Sequence, residues 1–90
     1  MTWRVDFSDQ TDKFLRKNNV SSDSISELIV KVLRKLQGEN MNVAMGKLKG
    51  AWAGFYKIRS GRLRIIAAFN FDHKKVRVEV IDWRGSVYKK

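Results

Sequence analysis

The stretch FYKIRSGRLRII, residues 55–66, decides the fold of this 90-residue chain. On both sides of its Ser-Gly dipeptide, apolar residues alternate with charged ones, and this period of two predicts a pair of half-buried strands. Ser-Gly can form a two-residue turn, which would make the two strands an antiparallel hairpin. The cross-strand pairs are then Arg59 with Arg62, Ile58 with Leu63, Lys57 with Arg64, and Tyr56 with Ile65.

The predicted hairpin has two chemically different faces, because side chains alternate along a strand and paired residues share a face. The apolar face, predicted to pack on helices, comprises Tyr56, Ile58, Leu63, Ile65, Ala67, Phe69 and Phe71. The cationic face, predicted to lie open, comprises Phe55, Lys57, Arg59, Arg62, Arg64, Ile66 and Ala68. Like charges that face each other destabilise a sheet. We therefore expect an external polyanion to bind the cationic face.

One strand and two helices are predicted before the hairpin. Residues 3–7, WRVDF, alternate apolar and polar side chains as a short strand does. Residues 8–19 predict a short helix that begins at Ser8 and ends at Asn18 and Asn19. The chain is therefore predicted to begin with a strand followed by a helix.

The second helix is predicted from an apolar stripe at spacings of three and four. Its members are Ile25, Leu28, Ile29, Val32, Leu33 and Leu36. Ser24 with Glu27 fits a capping box at its start, and Ser21 or Ser22 would give a slightly earlier start. Gly38 stands where a helix C-terminal glycine is expected.

The glycine-rich residues 38–54 are interpreted as a connecting loop that leads into a strand near Trp52 to Phe55. After the hairpin, a turn at residues 72–75 precedes a last strand within 76–84. The chain is thus predicted to be a single α+β domain, residues 1–90. It has a short N-terminal strand and two helices packed on one face of an antiparallel sheet, which a three-stranded C-terminal meander completes.

The net charge of +10 is concentrated in the second half of the chain. Residues 1–45 hold seven Lys or Arg against six Asp or Glu, whereas residues 46–90 hold twelve against three. Such an imbalance indicates a nucleic acid or an acidic partner.

Other compositional features narrow the class of protein. The chain has no cysteine and one histidine, so we expect no disulfides, no thiolate chemistry, no metal and no cofactor. No uncharged run exceeds seven residues, so we expect no membrane span. The charged start is unlike a signal peptide, and a cytoplasmic location is expected.

Four short motifs follow one another along the chain: KLKG (47–50), YKIR (56–59), GRLR (61–64) and WRGSVY (83–88). In this order and spacing they resemble the RelE/ParE superfamily of bacterial type II toxins, and the resemblance covers nearly the whole chain. RelE-like members are endoribonucleases that cut mRNA in the ribosomal A site, whereas ParE-like members inhibit DNA gyrase.

The resemblance implies a set of site residues. In the RelE-like branch, cations of a sheet face act on the scissile phosphate together with a C-terminal Arg and Tyr. The matching residues here are Lys57, Arg59, Arg64, Arg84 and Tyr88. ParE-like members tend to lack this full set, which favours the nuclease. The predicted RNA contacts are Phe55, by stacking, and Lys47, Lys49 and Arg62, by charge.

The residue types suit cleavage of RNA through its own 2′-hydroxyl. This reaction needs a base, cations to stabilise the phosphorane, and an acid for the leaving oxygen. Lys57 and Tyr88 are the available proton carriers, and arginines bind phosphate bidentately. Trp83 stands where many relatives have His, and Ala67 where many have Tyr. A site without a histidine pair would be weak alone, in keeping with a family that relies on the ribosome.

Two other functions stay open from the sequence. One is a ParE-like inhibitor of DNA gyrase without nuclease activity, and the other is a non-enzymatic nucleic-acid-binding module with salt-sensitive binding. Every toxin interpretation implies a cognate antitoxin that is acidic in its binding segment and partly disordered when free. The nuclease interpretation adds the ribosome and mRNA as partners.

Overall fold

The computed structural model describes residues 3–83, which form one five-stranded sheet with both helices on the same side of it. The elements are β1 (Arg4–Phe7), α1 (Asp9–Lys17), α2 (Ser22–Leu36), β2 (Ala44–Lys47), β3 (Phe55–Ser60), β4 (Leu63–Asn70) and β5 (Lys75–Trp83). The strand order is β1-β5-β4-β3-β2. The predicted α+β class, with its two helices on one sheet face and its C-terminal meander, is confirmed.

Side-chain caps determine where the helices begin. The Ser8 hydroxyl accepts a hydrogen bond from the Thr11 amide (3.2 Å) at the start of α1. Of the serines considered for α2, Ser21 is the cap, since its hydroxyl accepts a hydrogen bond from the Asp23 amide (3.0 Å). Satisfying such free amide groups is what makes serine a favourable first residue. Gly38, just after α2, has the positive φ (96°) of a helix-ending glycine, as predicted.

The strand β2 lies inside the segment interpreted as a loop, and that interpretation is wrong for Ala44–Lys47. Its four residues include a glycine, so neither its length nor its composition predicts a strand. The strand forms because its backbone pairs with β3 in antiparallel register. Trp52 is not in a strand but in a short 3₁₀ turn, Gly50–Trp52, and β3 starts at Phe55.

The turn between β3 and β4 lies one residue later than predicted, at Gly61 and Arg62. The predicted cross-strand pairs are therefore wrong, because Arg59 pairs with Arg64. Gly61 has a positive φ (58°) and Arg62 does not, which is the combination of a type II′ turn. A turn at Ser60-Gly61 would instead have needed a positive φ at Ser60. The pairing shifts by two residues, so the strand residues keep their predicted faces.

The first strand adds one parallel pair to a sheet predicted to be antiparallel, because β1 runs alongside the first four residues of β5. Beyond these four residues, side chains at the start of α1 form hydrogen bonds with the backbone of β5. The Gln10 amide group donates to the Ile81 carbonyl (3.1 Å) and accepts from the Ile81 amide (3.2 Å), as a neighbouring strand would. The Ser8 hydroxyl donates to the Glu79 carbonyl (2.7 Å). This edge is therefore satisfied by side chains.

The core lies between the helices and the apolar face of the sheet. Its buried members are Phe14, Leu15, Ile25, Ile29, Val32, Leu33, Val43, Ile58, Ile65, Ala67, Val76, Val78 and Ile81. Phe71, predicted on the apolar face, lies past the end of β4, is 46% exposed and packs edge-on against Trp3. Neither helix in residues 3–83 has the length and apolar composition that crossing a membrane requires.

Candidate nucleic-acid-binding face

Three of the predicted cations share the side of the sheet that faces away from the helices. Lys57 and Arg59 extend from β3, and Arg64 extends from the adjacent strand β4. Arg59 lies directly opposite Arg64, and such partners have Cα atoms about 4.5–5.5 Å apart. Arg62, predicted on the same face, lies exposed in the turn. The structure thus brings Lys57, Arg59 and Arg64 together.

Neither guanidinium of the Arg59–Arg64 pair forms an ion pair with another residue of the described range 3–83. The ion pairs of the described residues join Arg4 to Asp6, Arg16 to Asp12, and Arg77 to Glu79. None of them involves either guanidinium of the Arg59–Arg64 pair. Asp82 is the β5 partner of Arg64, but its carboxylate instead accepts a hydrogen bond from the Trp83 amide (2.8 Å). Two guanidiniums side by side, in no ion pair of the described residues, form a suitable binding site for an anion.

A cavity of about 210 Å³ adjoins these cations at the edge of the sheet. Its lining residues are Ala44, Met45, Lys57, Ile58, Arg59 and Arg64. The strand β2 therefore supplies one wall of the candidate site, and the sequence did not reveal this strand. Ala44 lies next to Arg59, and Gly46 next to Lys57, so β2 offers only small residues on this face.

An apolar strip continues the cationic face toward its other end. Ile66 lies between Lys57 and Val80 on neighbouring strands and is fully buried, although it is not part of the helix-side core. Phe55 lies opposite Ala68 and is half-buried. The Trp52 ring holds the Phe55 ring edge-on, with 5.4 Å between ring centroids and 88° between planes. An aromatic ring fixed beside the cations can serve as a stacking platform.

Comparison with known proteins finds no matching family model and no matching curated protein, but solved structures are similar along nearly their entire length. The E. coli DinJ–YafQ toxin–antitoxin complex matches with a TM-score of 0.66 and 14% identity, over 99% of this chain and 100% of that one. The archaeal RelE–RelB complex from Pyrococcus horikoshii OT3 gives 0.60 and 24%, over 97% and 100%. The Mycobacterium tuberculosis RelBE2 toxin–antitoxin complex gives 0.61 and 19%, over 93% and 100%. The chain has the fold of the RelE-like toxins.

Within this RelE-like fold, the remaining predicted site residues occupy separate places. Lys47 pairs with Tyr56, so its position lies on the helix side of the sheet. Lys49 is exposed just before the 3₁₀ turn. Arg84 and Tyr88 lie outside the described residues.

The two departures from the motifs have structural roles in the RelE-like fold. Ala67 is fully buried in the core, as its place on the apolar face predicted. Trp83 packs on Phe14, with ring centroids 5.4 Å apart, and its indole NH donates to the Asn18 side chain (3.1 Å). Trp83 therefore ties the end of β5 to α1. Among residues 3–83, no three His, Asp or Glu side chains converge as a metal site would require.

Proposed function

We propose that this protein is the toxin of a type II toxin–antitoxin system and acts as a ribosome-dependent endoribonuclease on mRNA in the A site. The observation that carries the proposal is the convergence of Lys57, Arg59 and Arg64 beside a cavity on the sheet face opposite the helices. The RelE-like fold, which the neighbours in toxin–antitoxin complexes share, supports the same assignment.

The proposed chemistry is attack of the RNA 2′-oxygen on the adjacent phosphorus. Lys57, in its neutral form, accepts the 2′ proton, and Arg59 and Arg64 bind the phosphate as negative charge develops on it. Arg84 is assigned to the same phosphate. The bond from phosphorus to the 5′-oxygen breaks, and Tyr88 donates a proton to that oxygen. The products are a 2′,3′-cyclic phosphate and a 5′-hydroxyl, and no metal or cofactor takes part.

The RNA would run along the cationic face and past its ends. Phe55 offers a ring on which a base can stack. The exposed cations Lys49 and Arg62 would bind the backbone outside the site of cleavage, and Lys47 would do so where the RNA passes around the edge strand β2. Because these contacts read charge rather than sequence, the ribosome would supply the alignment of the codon.

The test is a reconstituted translation reaction with a defined mRNA, read by primer extension. The parent protein is expected to cut codons in the A site, and Arg64→Ala to lower the cleavage rate by about 10²-fold or more. Lys31→Ala is the matched control, since Lys31 is an exposed cation of α2 on the helix side. It is expected to cut as fast as the parent.

Intact mRNA in the presence of the parent protein would overturn the nuclease proposal. Inhibition of gyrase supercoiling would then favour the ParE-like alternative. Salt-sensitive RNA binding without either activity would favour a binding module.

The proposed partners follow from the same assignment. A cognate antitoxin with an acidic binding segment would neutralise the cationic face, and ribosome-bound mRNA is the substrate. An enzyme that acts on translating ribosomes works in the cytoplasm. Expression of the protein alone is expected to arrest growth, and coexpression with a small acidic protein encoded beside the gene should relieve that arrest. If no acidic protein encoded beside the gene relieves it, the antitoxin proposal is contradicted.

A further inference from the structure

Gly46 lies on the cationic face, directly beside Lys57. A Cβ atom at position 46 would come within 3.5 Å of the Lys57 Cε atom. The Lys57 side chain therefore lies beside position 46, where a methyl group would just touch it and a larger side chain would compete with it for space.

The backbone does not explain this glycine. Four other glycines have a positive φ, which favours glycine for conformational reasons, but Gly46 does not. A glycine inside a strand also weakens that strand and often marks a close approach by another group. Here the approaching group is the Lys57 side chain.

We infer that the small size of residue 46 is a positioning feature, because it leaves room for the Lys57 side chain and so lets the proposed base lie beside Arg59 and Arg64. The inference rests on the proposed function for its catalytic consequence. The geometry, in which a Cβ added at position 46 lies 3.5 Å from the Lys57 Cε, does not depend on the proposed function.

A size series at position 46 separates this role from a structural one. The methyl group of Gly46→Ala would make ordinary van der Waals contact with Lys57, which can stay in place. Gly46→Val adds two further methyl groups to this Cβ, and we expect them to displace the Lys57 side chain. Valine is the better strand former, so we expect the fold to be retained.

The catalytic readout is single-turnover cleavage of ribosome-bound mRNA at saturating protein. Gly46→Val is expected to lower the rate constant by about 10²-fold, because displacement of a catalytic group by about 1 Å has effects of this size. Its half-saturating concentration should be unchanged, since the charge of the face is unchanged. Gly46→Ala should cut nearly as fast as the parent. Equal rate constants for Gly46→Val and the parent would overturn the inference. It would also be overturned if Gly46→Ala and Gly46→Val lost the same share of the cleavage rate and both had lowered melting temperatures.

The geometric readout is NMR of the lysine side chains, with the Lys57 ε signals identified by their loss in Lys57→Arg. Gly46→Ala should show a nuclear Overhauser contact between the new methyl group and the Lys57 ε protons, and Gly46→Val should shift the Lys57 ε signals. Absence of both effects would overturn the inference even if the protein is a nuclease. If the parent cleaves no RNA, the proposed function fails, while this readout still decides whether Gly46 positions Lys57.

Discussion

Arg59 and Arg64 face each other across two paired strands, and the ion pairs of the described residues include neither of them. Directly opposed like charges destabilise a sheet, so this pair costs folding free energy. A phosphate bound between the two guanidiniums, as proposed above, would remove this cost. The proposed site would therefore lower the stability of the free protein slightly and regain that stability when its anion binds.

Removing one of these charges should stabilise the free protein. We expect Arg59→Thr, which keeps a good strand former, to raise the free energy of unfolding by about 0.5 kcal/mol at low salt. The gain should shrink in 1 M NaCl, where the Debye length is about 3 Å. Urea denaturation at both salt concentrations measures it.

Arg77→Thr is the matched control for this prediction, because the Arg77 guanidinium pairs with the Glu79 carboxylate (3.1 Å) on the same sheet. It should not stabilise the protein. A loss of stability in Arg59→Thr equal to that in Arg77→Thr would show that the Arg59–Arg64 pair carries no repulsion.

Among the elements, the helices and the long strands follow from the sequence, whereas β2 and the turn register do not. The apolar stripe of α2 and the alternation of β4 can be seen in the sequence, because burying one face of a helix or strand requires apolar residues at regular spacings. Strand β2 exists only through its pairing with β3, and pairing leaves little trace in four residues. The register depended on which residue of the hairpin adopts a positive φ, and Ser60-Gly61-Arg62 offers two places for a two-residue turn.

The observed turn makes a prediction at Gly61. Among residues 3–83, no atom lies within 4 Å of the Cβ that a substitution there would add, so we expect the cost of Gly61→Ala to be conformational. We expect the free energy of unfolding to fall by about 1–2 kcal/mol, because an L-residue with this φ crowds its own carbonyl. Thermal and urea denaturation measure the change.

Gly46→Ala is the matched control, since Gly46 is a glycine of the same sheet without a positive φ. It should leave stability unchanged or raise it slightly. If the two alanine variants were equally stable, the turn at Gly61 and Arg62 would not be the one that the protein uses.

In the whole molecule, the excess positive charge of residues 46–90 lies in the part of the chain that forms most of the sheet. The second half of the chain supplies most of the sheet, and the open side of that sheet carries the candidate site. The α+β class could be predicted from the helix stripe and the strand alternation, and that alternation also predicted the grouping of Lys57, Arg59 and Arg64. The wall formed by β2 could not, because it depends on a contact between strands.

The charge distribution predicts how RNA affinity depends on salt. Binding of single-stranded RNA releases counterions, so the slope of log K against log salt should fall in magnitude by about 0.7 for each phosphate contact removed. We expect this reduction for Arg64→Ala in fluorescence polarisation titrations over a range of KCl concentrations. Lys31→Ala should keep the parent slope. An unchanged slope for Arg64→Ala would mean that Arg64 contacts no phosphate.

The parallel pairing of β1 with β5 has a consequence for the time course of folding. The residues joined by this pairing, and by the Ser8–Glu79 hydrogen bond that adjoins it, are 71 positions apart. The β3–β4 hairpin can form within about 1–10 μs, but closing so long a loop costs entropy that only the completed sheet repays. During synthesis, β1 and α1 must wait for β5 before their apolar sides are covered. A newly made molecule would thus pass through an interval in which its cationic hairpin exists and its sheet is unfinished, and in that interval the edge of β4 that β5 later covers is exposed.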